Sequence, residues 1–249
     1  KGDDQMARSE NKYRYVDEHI LKAHFKIDDN GVKIMSNEGS QSDFVRLTID
    51  HQVVDVFKRK KDGVSIRIQQ DTDGKLQAFL RRLDQRIATN PVTVFVVYGH
   101  GDGGVERKEL RDILETWNFK PIFLDQKPNE GNTIIEKLEE YMDTAKAGIV
   151  LATPDDIGFA NNDHGRANQM YRPRQNVVLE TGMVISRLGR DNMIILSRDD
   201  EERPMELPGD LSGIVRVPFQ KDVSETKSGL MRDLVRYYDV DSDVEDSAE

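Results

Sequence analysis

From residue 91 onward, short apolar runs alternate with longer segments whose apolar residues recur at helical spacing. The runs occupy residues 93–98, 121–124, 147–152, 192–196 and 213–217. Runs that are apolar throughout are typical of strands buried on both faces, and strands that alternate with helices usually pair in parallel. The sequence therefore predicts an α/β domain, in which helices cover both faces of a five-stranded parallel sheet. In such sheets ligands bind at the carboxyl ends of the strands.

Residues 1–90 show a different pattern, which predicts a small α+β module. Two stretches with helical spacing enclose three runs with β-type alternation. In chain order these segments are residues 13–25, 44–49, 53–57, 64–68 and 76–87. The Asp62-Gly63 pair lies between two of the β-type runs and predicts a hairpin, because the central residues of such a turn need positive φ.

The main domain boundary is predicted at Asn90-Pro91, since the residue before a proline disfavours helical backbone. The main domain then covers residues 91–238, and residues 239–249 form an acidic tail. We expect the module at 1–90 to sense a signal or to hold subunits together. It is too short for the usual cyclic-nucleotide-binding roll, so direct binding of a cyclic nucleotide is not expected if the chain is complete.

Charge and composition argue against several classes of function. The net charge is −10, with +2 in residues 1–90 and −12 in residues 91–249, so neither part resembles a general nucleic-acid-binding protein. The basic cluster at 58–61 is a solubilising hairpin tip or, alternatively, an anion or nucleic-acid contact. The absence of cysteine excludes disulfides and cysteine-ligated zinc and fits a cytoplasmic protein. No metal site is indicated, and no apolar run reaches the ~20 residues of a membrane helix.

The segment 174–190 carries the carboxylate that most needs an explanation. Its apolar residues recur at helical spacing, and Gly189 is a typical helix stop. Glu180 lies in the middle of this helix, where its charge must find a partner or face a cavity, because an unpaired buried charge is costly. A solvated or salt-bridged glutamate is the structural alternative. Gly182 weakens the helix by about 1 kcal/mol relative to alanine, which indicates that another group approaches closely.

The turn at residues 99–104 reads GHGDGG and matches the glycine pattern of dinucleotide-binding sites. Asp125 follows about twenty residues later, as that pattern requires. A Rossmann-type oxidoreductase is therefore one alternative, although the remaining chain is too short for a second nucleotide-binding half. In either case the glycines allow backbone amides to come close to a phosphate. The candidate substrate contacts at this turn are Tyr98, Gly99, His100 and Asp102.

Two further groups of polar residues fall at the same predicted sheet edge. Asp155 and Asp156 follow the third strand, where a ligand would lie, but they also fit a turn and helix cap. Arg172 and Arg174 precede the helix of the glutamate and could hold a phosphate through paired hydrogen bonds. Pairing with the two aspartates explains these arginines equally well. Asn176, in the first turn of that helix, completes the candidate substrate contacts.

Five motifs, in order along the chain, carry a family resemblance: FVVYGHGDGG, FLDQKPNEGNTIIEKLEEY, GIVLATPDD, RPRQNVVLETGMVISRLGR and LPGDLSGI. Over about residues 92–238 the chain resembles the TIR-like nucleotide-binding family of bacterial antiphage systems. The resemblance implies a flavodoxin-like sheet that hydrolyses NAD at the nicotinamide N-glycosidic bond. NAD is then a substrate, and no cofactor is expected. Glu180 falls on the catalytic glutamate of the family.

The same resemblance assigns residues 125–132 to the BB loop of TIR domains, in which the candidate residues are Pro128, Asn129 and Gly131. In this family the loop of one subunit often closes the pocket of the next, so self-association through the TIR domains is expected. The activating signal is expected from an upstream sensor domain, a protein or a nucleotide.

The chain departs from the family pattern at two places. One is the group Thr181, Met183 and Val184, where a change could alter the shape of the pocket; the other is the long segment 157–171, which affects loop ligands. A non-catalytic signalling module that binds a nucleotide or other TIR domains through the BB loop is a separate alternative, from another class of function. The presence of Glu180 argues against it, since scaffold TIR domains often lack that glutamate.

Overall fold

The structure, a computed structural model, describes residues 10–35, 43–57, 63–69, 74–99, 104–126, 133–159, 161, 169–199 and 205–238. The chain divides into two compact units. One comprises residues 1–91 and 231–249, and the other comprises residues 92–230. Among the described residues, no helix is long and apolar enough to cross a membrane.

The first unit contains an antiparallel sheet with the strand order β1-β5-β4-β3-β2. Its elements are β1 (Glu10–Tyr13), α1 (Glu18–His24), β2 (Val32–Met35), β3 (Phe44–Ile49), β4 (Gln52–Phe57), β5 (Val64–Gln69) and α2 (Lys75–Thr89). The predicted hairpin is confirmed, since β4 and β5 pair in antiparallel fashion with Val56 opposite Ile66. Four buried residues of α2 contribute to the core of this unit: Leu76, Leu80, Leu83 and Ile87.

The predicted helix at 13–25 is wrong in its first third, because Tyr13 belongs to β1 and pairs with Val64. Helix α1 begins only after Asp17, whose side chain accepts hydrogen bonds from two backbone N–H groups of the first turn. The carboxylate of Asp84 accepts three more from the turn between β1 and α1, including one of 2.7 Å from the N–H of Tyr15. These caps fix the turn, and a long-range cap such as Asp84 leaves no local signal in the sequence.

The second unit contains the predicted five-stranded parallel sheet, with the order β12-β11-β8-β6-β7. Its strands are β6 (Thr93–Tyr98), β7 (Lys120–Ile122), β8 (Ala147–Ala152), β11 (Met193–Arg198) and β12 (Val215–Phe219). A separate two-stranded ribbon pairs β9 (Asp156–Gly158) with β10 (Met170–Arg172). Counted along the unit, the sheet order is 2-1-3-4-5, which is flavodoxin-like and differs from the dinucleotide-binding order 3-2-1-4-5-6.

Helices cover both faces of this sheet, among them α3 (Val105–Thr116), α4 (Ile134–Asp143) and α5 (Gln175–Leu188). A further helix, α6 (Lys227–Leu234), begins in this unit, and its residues from 231 onward belong to the first. The connection from β6 to β7 runs to one side of the sheet, and the connections from β7 to β8 and from β8 to β11 run to the other side. Because crossovers between parallel strands are right-handed, α3 therefore lies on the face opposite to α4 and α5. On the α4–α5 face, Phe95 and Val97 of β6 pack in one core cluster with Leu138 of α4 and Val184 of α5. The fold class predicted from the sequence is thus confirmed.

Candidate active site

The strand order fixes where a ligand can enter the parallel sheet. The connection after β6 runs to β7 on one side, whereas all later strands lie on the other side. A crevice therefore opens between the carboxyl ends of β6 and β8, the usual ligand position in open α/β sheets. Gly99 follows β6 and Thr153 follows β8, so Gly99 and the segment that carries Asp155 meet at this point.

Gly99 and Asp155 form one wall of the crevice. The side chain of Asp155 is fully buried, and the hydroxyl of Thr153 donates a 2.7 Å hydrogen bond to its Oδ1. A Cβ atom on residue 99 would clash with Oδ2 of the same carboxylate. Arg174 Nε lies 4.0 Å from this Oδ2 atom, at the limit of an ion pair. Glycine at 99 therefore allows the aspartate to reach the strand end, and three sequence-predicted residues come together.

Glu180 lies in the second turn of α5, whose N-cap is Arg174. Its neighbours Val177, Thr181 and Val184 are buried in the core, and its own side chain is half-buried. Burial raises the pKa of the Glu180 carboxyl above its ordinary value, and no other cause contributes. Within the described residues no hydrogen bond or ion pair involves this carboxylate, which is the costly arrangement that functional sites retain.

The position of Glu180 in the sequence of α5 determines from which flank of the helix its side chain projects. Asn176, one turn earlier, and Arg187, two turns later, project from the same flank because helical side chains repeat every 3–4 residues. Arg187 forms a two-fold ion pair with Asp143 of α4, with 2.7 Å between Nη2 and Oδ2. Glu180 and Asn176 therefore lie on the flank of α5 that faces α4.

Arg172 and Asp156 are placed elsewhere. They lie opposite each other in the β9–β10 ribbon, and Asp156 is exposed. Arg172 Nε donates a 2.6 Å hydrogen bond to Glu206 Oε2, and its side chain lines a cleft with Val178 of α5. Val178 precedes Glu180 by two residues, so the two side chains point in directions about 160° apart around the helix axis. The structure therefore does not bring these two candidate contacts to the flank of Glu180.

Tyr98 points to the α3 face of the sheet, away from α5. Its ring lies 4.9 Å from the guanidinium carbon of Arg107, and Arg107 Nη1 donates a 2.6 Å hydrogen bond to Asp125 Oδ2. Burial, together with a hydrogen bond to Asp125, raises the pKa of the Tyr98 hydroxyl to about 12, and Arg107 opposes this shift. Asp125 is therefore engaged by Arg107 and Tyr98 in the described structure.

Five predicted site residues lie outside the described part of the chain. They are His100 and Asp102 of the glycine-rich turn and Pro128, Asn129 and Gly131 of the BB-loop segment.

A comparison of the sequence with known protein families shows which family the chain belongs to. The family model described as the TIR domain of CAP12/Pycsar effector proteins matches residues 93–221. The chain belongs to this TIR-domain family. The match covers the parallel sheet and α5 with Glu180, and it confirms the bacterial antiphage TIR family indicated by the sequence motifs.

Individual relatives are similar over the same region. Protein tirC of Dictyostelium discoideum is 37% identical over 140 residues, which cover 55% of this chain and 69% of that protein. The uncharacterized protein YuaY of Escherichia coli (strain K12) is 32% identical over 122 residues, or 49% of this chain and 38% of YuaY. Pycsar effector protein BcPycTIR of Burkholderia cepacia is 29% identical over 146 residues, or 55% of this chain and 44% of that protein. The chain thus spans less than half the length of two of these relatives.

Within the TIR domain, the positions that depart from the family pattern serve packing. Thr181 is buried and its hydroxyl donates a 2.6 Å hydrogen bond to the carbonyl of Val177. Val184 is fully buried, and Met183 packs against the same core cluster. Among the described residues no group approaches Gly182 closely, since it is exposed and a Cβ there would meet nothing within 4 Å.

Two partners of predicted site residues in the TIR domain were not recognised from the sequence. Arg107 engages Tyr98 and Asp125, and Glu206 pairs with Arg172. Both contacts join residues that are distant in the chain, 18 positions apart in the first case and 34 in the second. A single sequence carries no signal for such pairs, since they depend on how strands and loops are arranged in space.

Proposed function

We propose that this TIR domain is an NAD⁺ nucleosidase that releases nicotinamide and acts as an antiphage effector. The observation that carries the proposal is Glu180, a half-buried carboxylate with a raised pKa at the switch point of the sheet. The family resemblance assigns the catalytic role to the same residue.

The chemistry of the substrate suits a single carboxylate. In NAD⁺ the nicotinamide ring is already cationic, so it departs as a neutral molecule and needs no general acid. The C1′–N bond breaks with its electron pair going to nitrogen, which leaves an oxocarbenium-like ribose. Water then adds to C1′ and loses a proton, giving ADP-ribose. An ionised Glu180 stabilises the positive charge on the ribose, and its attraction is stronger in a site with little water.

The surrounding groups suggest how the substrate is oriented. Asn176 lies one turn before Glu180 on the same flank and can bind the ribose hydroxyls. Arg174, half-exposed at the N-terminus of α5, can bind the diphosphate together with the N–H groups of that helix end, which its own side chain does not cap. Gly99 and Asp155 form the wall beside it. We assign no substrate contact to Arg172, which lies on the other flank of α5.

Separation of the products of an NAD⁺ incubation by chromatography tests the proposal. Hydrolysis gives nicotinamide and ADP-ribose, a Rossmann-type oxidoreductase interconverts NAD⁺ and NADH, and a non-catalytic scaffold gives no product. Glu180→Gln should lower the rate of nicotinamide release by about 100-fold or more. Glu115→Gln, an exposed residue of α3, is the matched control and should leave the rate unchanged. Full activity in Glu180→Gln would rule out the assignment.

We further propose that activity depends on assembly, with residues 125–132 of one subunit closing the pocket of the next and residues 1–90 relaying the signal. Specific activity should then rise with protein concentration, together with the mass measured by light scattering. A monomeric mass with constant specific activity down to low nanomolar concentrations would contradict this proposal.

A further inference from the structure

A second cleft lies on the flank of α5 that faces away from Glu180. Its volume is about 570 Å³, within the range of about 300–1,000 Å³ typical of small-ligand pockets. Apolar walls come from Pro173, Val178, Leu207 and Pro208, and charged groups come from Arg172 and Glu206. The proposed NAD⁺ chemistry uses none of these residues.

The two walls of this cleft are joined by contacts that do not involve its charged groups. The N–H of Glu206 donates a 2.8 Å hydrogen bond to the carbonyl of Tyr171, and Tyr171 forms a parallel bridge with Met205. Pro173 is buried, and Leu207 packs against the core cluster of the parallel sheet. The cleft is therefore formed before any ligand binds, and a change in the side chain of Glu206 should not collapse it.

The ion pair of Arg172 and Glu206 places a hydrogen-bond donor beside a hydrogen-bond acceptor in the cleft. The 2.6 Å hydrogen bond between Arg172 and Glu206 uses Nε and Oε2, and both side chains are 43% exposed. In the described structure this leaves the Nη groups of Arg172 to donate and Oε1 of Glu206 to accept. Arg172 lies against Gly158, where a Cβ would clash with its guanidinium, so the backbone of the ribbon supports the side chain.

We propose that this cleft binds a planar heterocycle carrying a hydrogen-bond acceptor and a donor side by side on one edge. Arg172 donates to the acceptor, Glu206 accepts from the donor, and the apolar walls contact the ring faces. Two sources share this chemistry: the carboxamide edge of nicotinamide and the amide or amidine edge of a nucleobase. Because the cleft is separate from Glu180, binding there does not depend on NAD⁺ hydrolysis.

Calorimetric titration of the full chain with nicotinamide, with AMP and with pyridine tests this site. Nicotinamide or AMP should bind saturably, whereas pyridine, which lacks the donor, should not. Glu206→Gln should weaken binding by about tenfold, because it removes a charge-assisted hydrogen bond. Val178→Phe should abolish binding by filling the apolar wall. Leu179→Phe, the exposed next residue of α5, is the matched control and should have no effect.

Each outcome decides the proposal. Tighter binding of nicotinamide identifies the carboxamide as the source, and tighter binding of AMP identifies the nucleobase. Glu180→Gln should bind like the wild type, and Glu206→Gln should hydrolyse NAD⁺ at the wild-type basal rate, so failure here is distinguishable from failure of the proposed function. Absence of saturable binding overturns the proposal, as does binding that Glu206→Gln leaves intact or that Glu180→Gln weakens as strongly. If Val178→Phe does not fold, Glu206→Gln decides alone.

Discussion

The two units of this chain differ in how they surround one carboxylate that lies partly or fully inside the fold. In the antiparallel unit, Asp55 is 1% exposed and fully engaged: Arg46 binds it through two hydrogen bonds of 2.6 and 2.9 Å, and Gln69 adds one of 3.0 Å. In the parallel unit, Glu180 is half-buried and has no such partner in the described structure. The first arrangement stabilises a fold. The second is unfavourable for the fold, and under the proposed function the positive charge of the bound substrate offsets it.

The largest effect expected from this comparison is on the stability of the antiparallel unit. Asp55→Asn removes the charge that Arg46 faces while keeping the shape of the side chain. Breaking a buried pair costs about 3–5 kcal/mol, and the partial exposure of Arg46 reduces the expected loss to about 2–3 kcal/mol. Denaturant unfolding measures it. Asp50→Asn, exposed in the turn between β3 and β4, is the control and should change stability by less than about 0.5 kcal/mol. An equally small change in Asp55→Asn would show that the pair is not structural.

The second expectation concerns the pH dependence of NAD⁺ hydrolysis and rests on the proposed function. If ionised Glu180 is required, kcat/KM should rise about tenfold per pH unit until it passes the raised pKa of this carboxyl in the free enzyme. Bound NAD⁺ brings a positive charge beside the carboxylate, which lowers its pKa, so the acid limb of kcat should lie at lower pH than that of kcat/KM. An acid limb of kcat/KM at or below the ordinary glutamate value of about 4.3 would contradict the role of Glu180.

The third expectation is a difference in sign between two glutamates. The pKa of Glu180 is raised in the folded protein, so its ionised form destabilises the fold, and wild-type stability falls as pH rises through the interval above the unfolded value. Glu180→Gln does not titrate, so its stability relative to the wild type should increase from pH 4 to pH 7.

Glu136 provides the opposite case. Hydrogen bonds from the backbone N–H and the hydroxyl of Thr133 lower the pKa of its carboxyl. Its stabilisation is present above the unfolded pKa and is lost as pH falls, so Glu136→Gln should be less stable than the wild type at pH 7 and nearly equal in acid. Thermal unfolding measures the stability of each variant relative to the wild type as a function of pH. If this relative stability changes with pH in the same direction for both variants, the predicted difference between the unpaired and the capped carboxylate is wrong.

Local patterns in the sequence were sufficient to predict the parallel sheet and the position of Glu180 within a helix. The apolar runs located β6 and β8, and helical spacing with Gly189 located α5. The same patterns could not show that Tyr98 turns toward α3, because a strand that is apolar on both faces does not reveal which face a given residue occupies. They also could not reveal Asp84 or Glu206, whose partners are distant in the chain. Strand ends and long-range polar pairs depend on the assembled topology rather than on local spacing.

The smallest effect expected is at Gly182, which follows Glu180 by two residues and so lies about 160° around α5 from it. Its Cβ position is open, so Gly182→Ala should stabilise the helix by about 0.5–1 kcal/mol through lower chain entropy in the unfolded state. Gly148 of β8 is the matched control: a Cβ there would meet the sulfur of Met193 and a methyl group of Val184, so Gly148→Ala should destabilise by about 1–3 kcal/mol. If Gly182→Ala instead lowers stability, an unrecognised contact exists on that side of α5. If it raises stability but impairs NAD⁺ hydrolysis, the glycine serves the substrate, because the free protein has room for the methyl group.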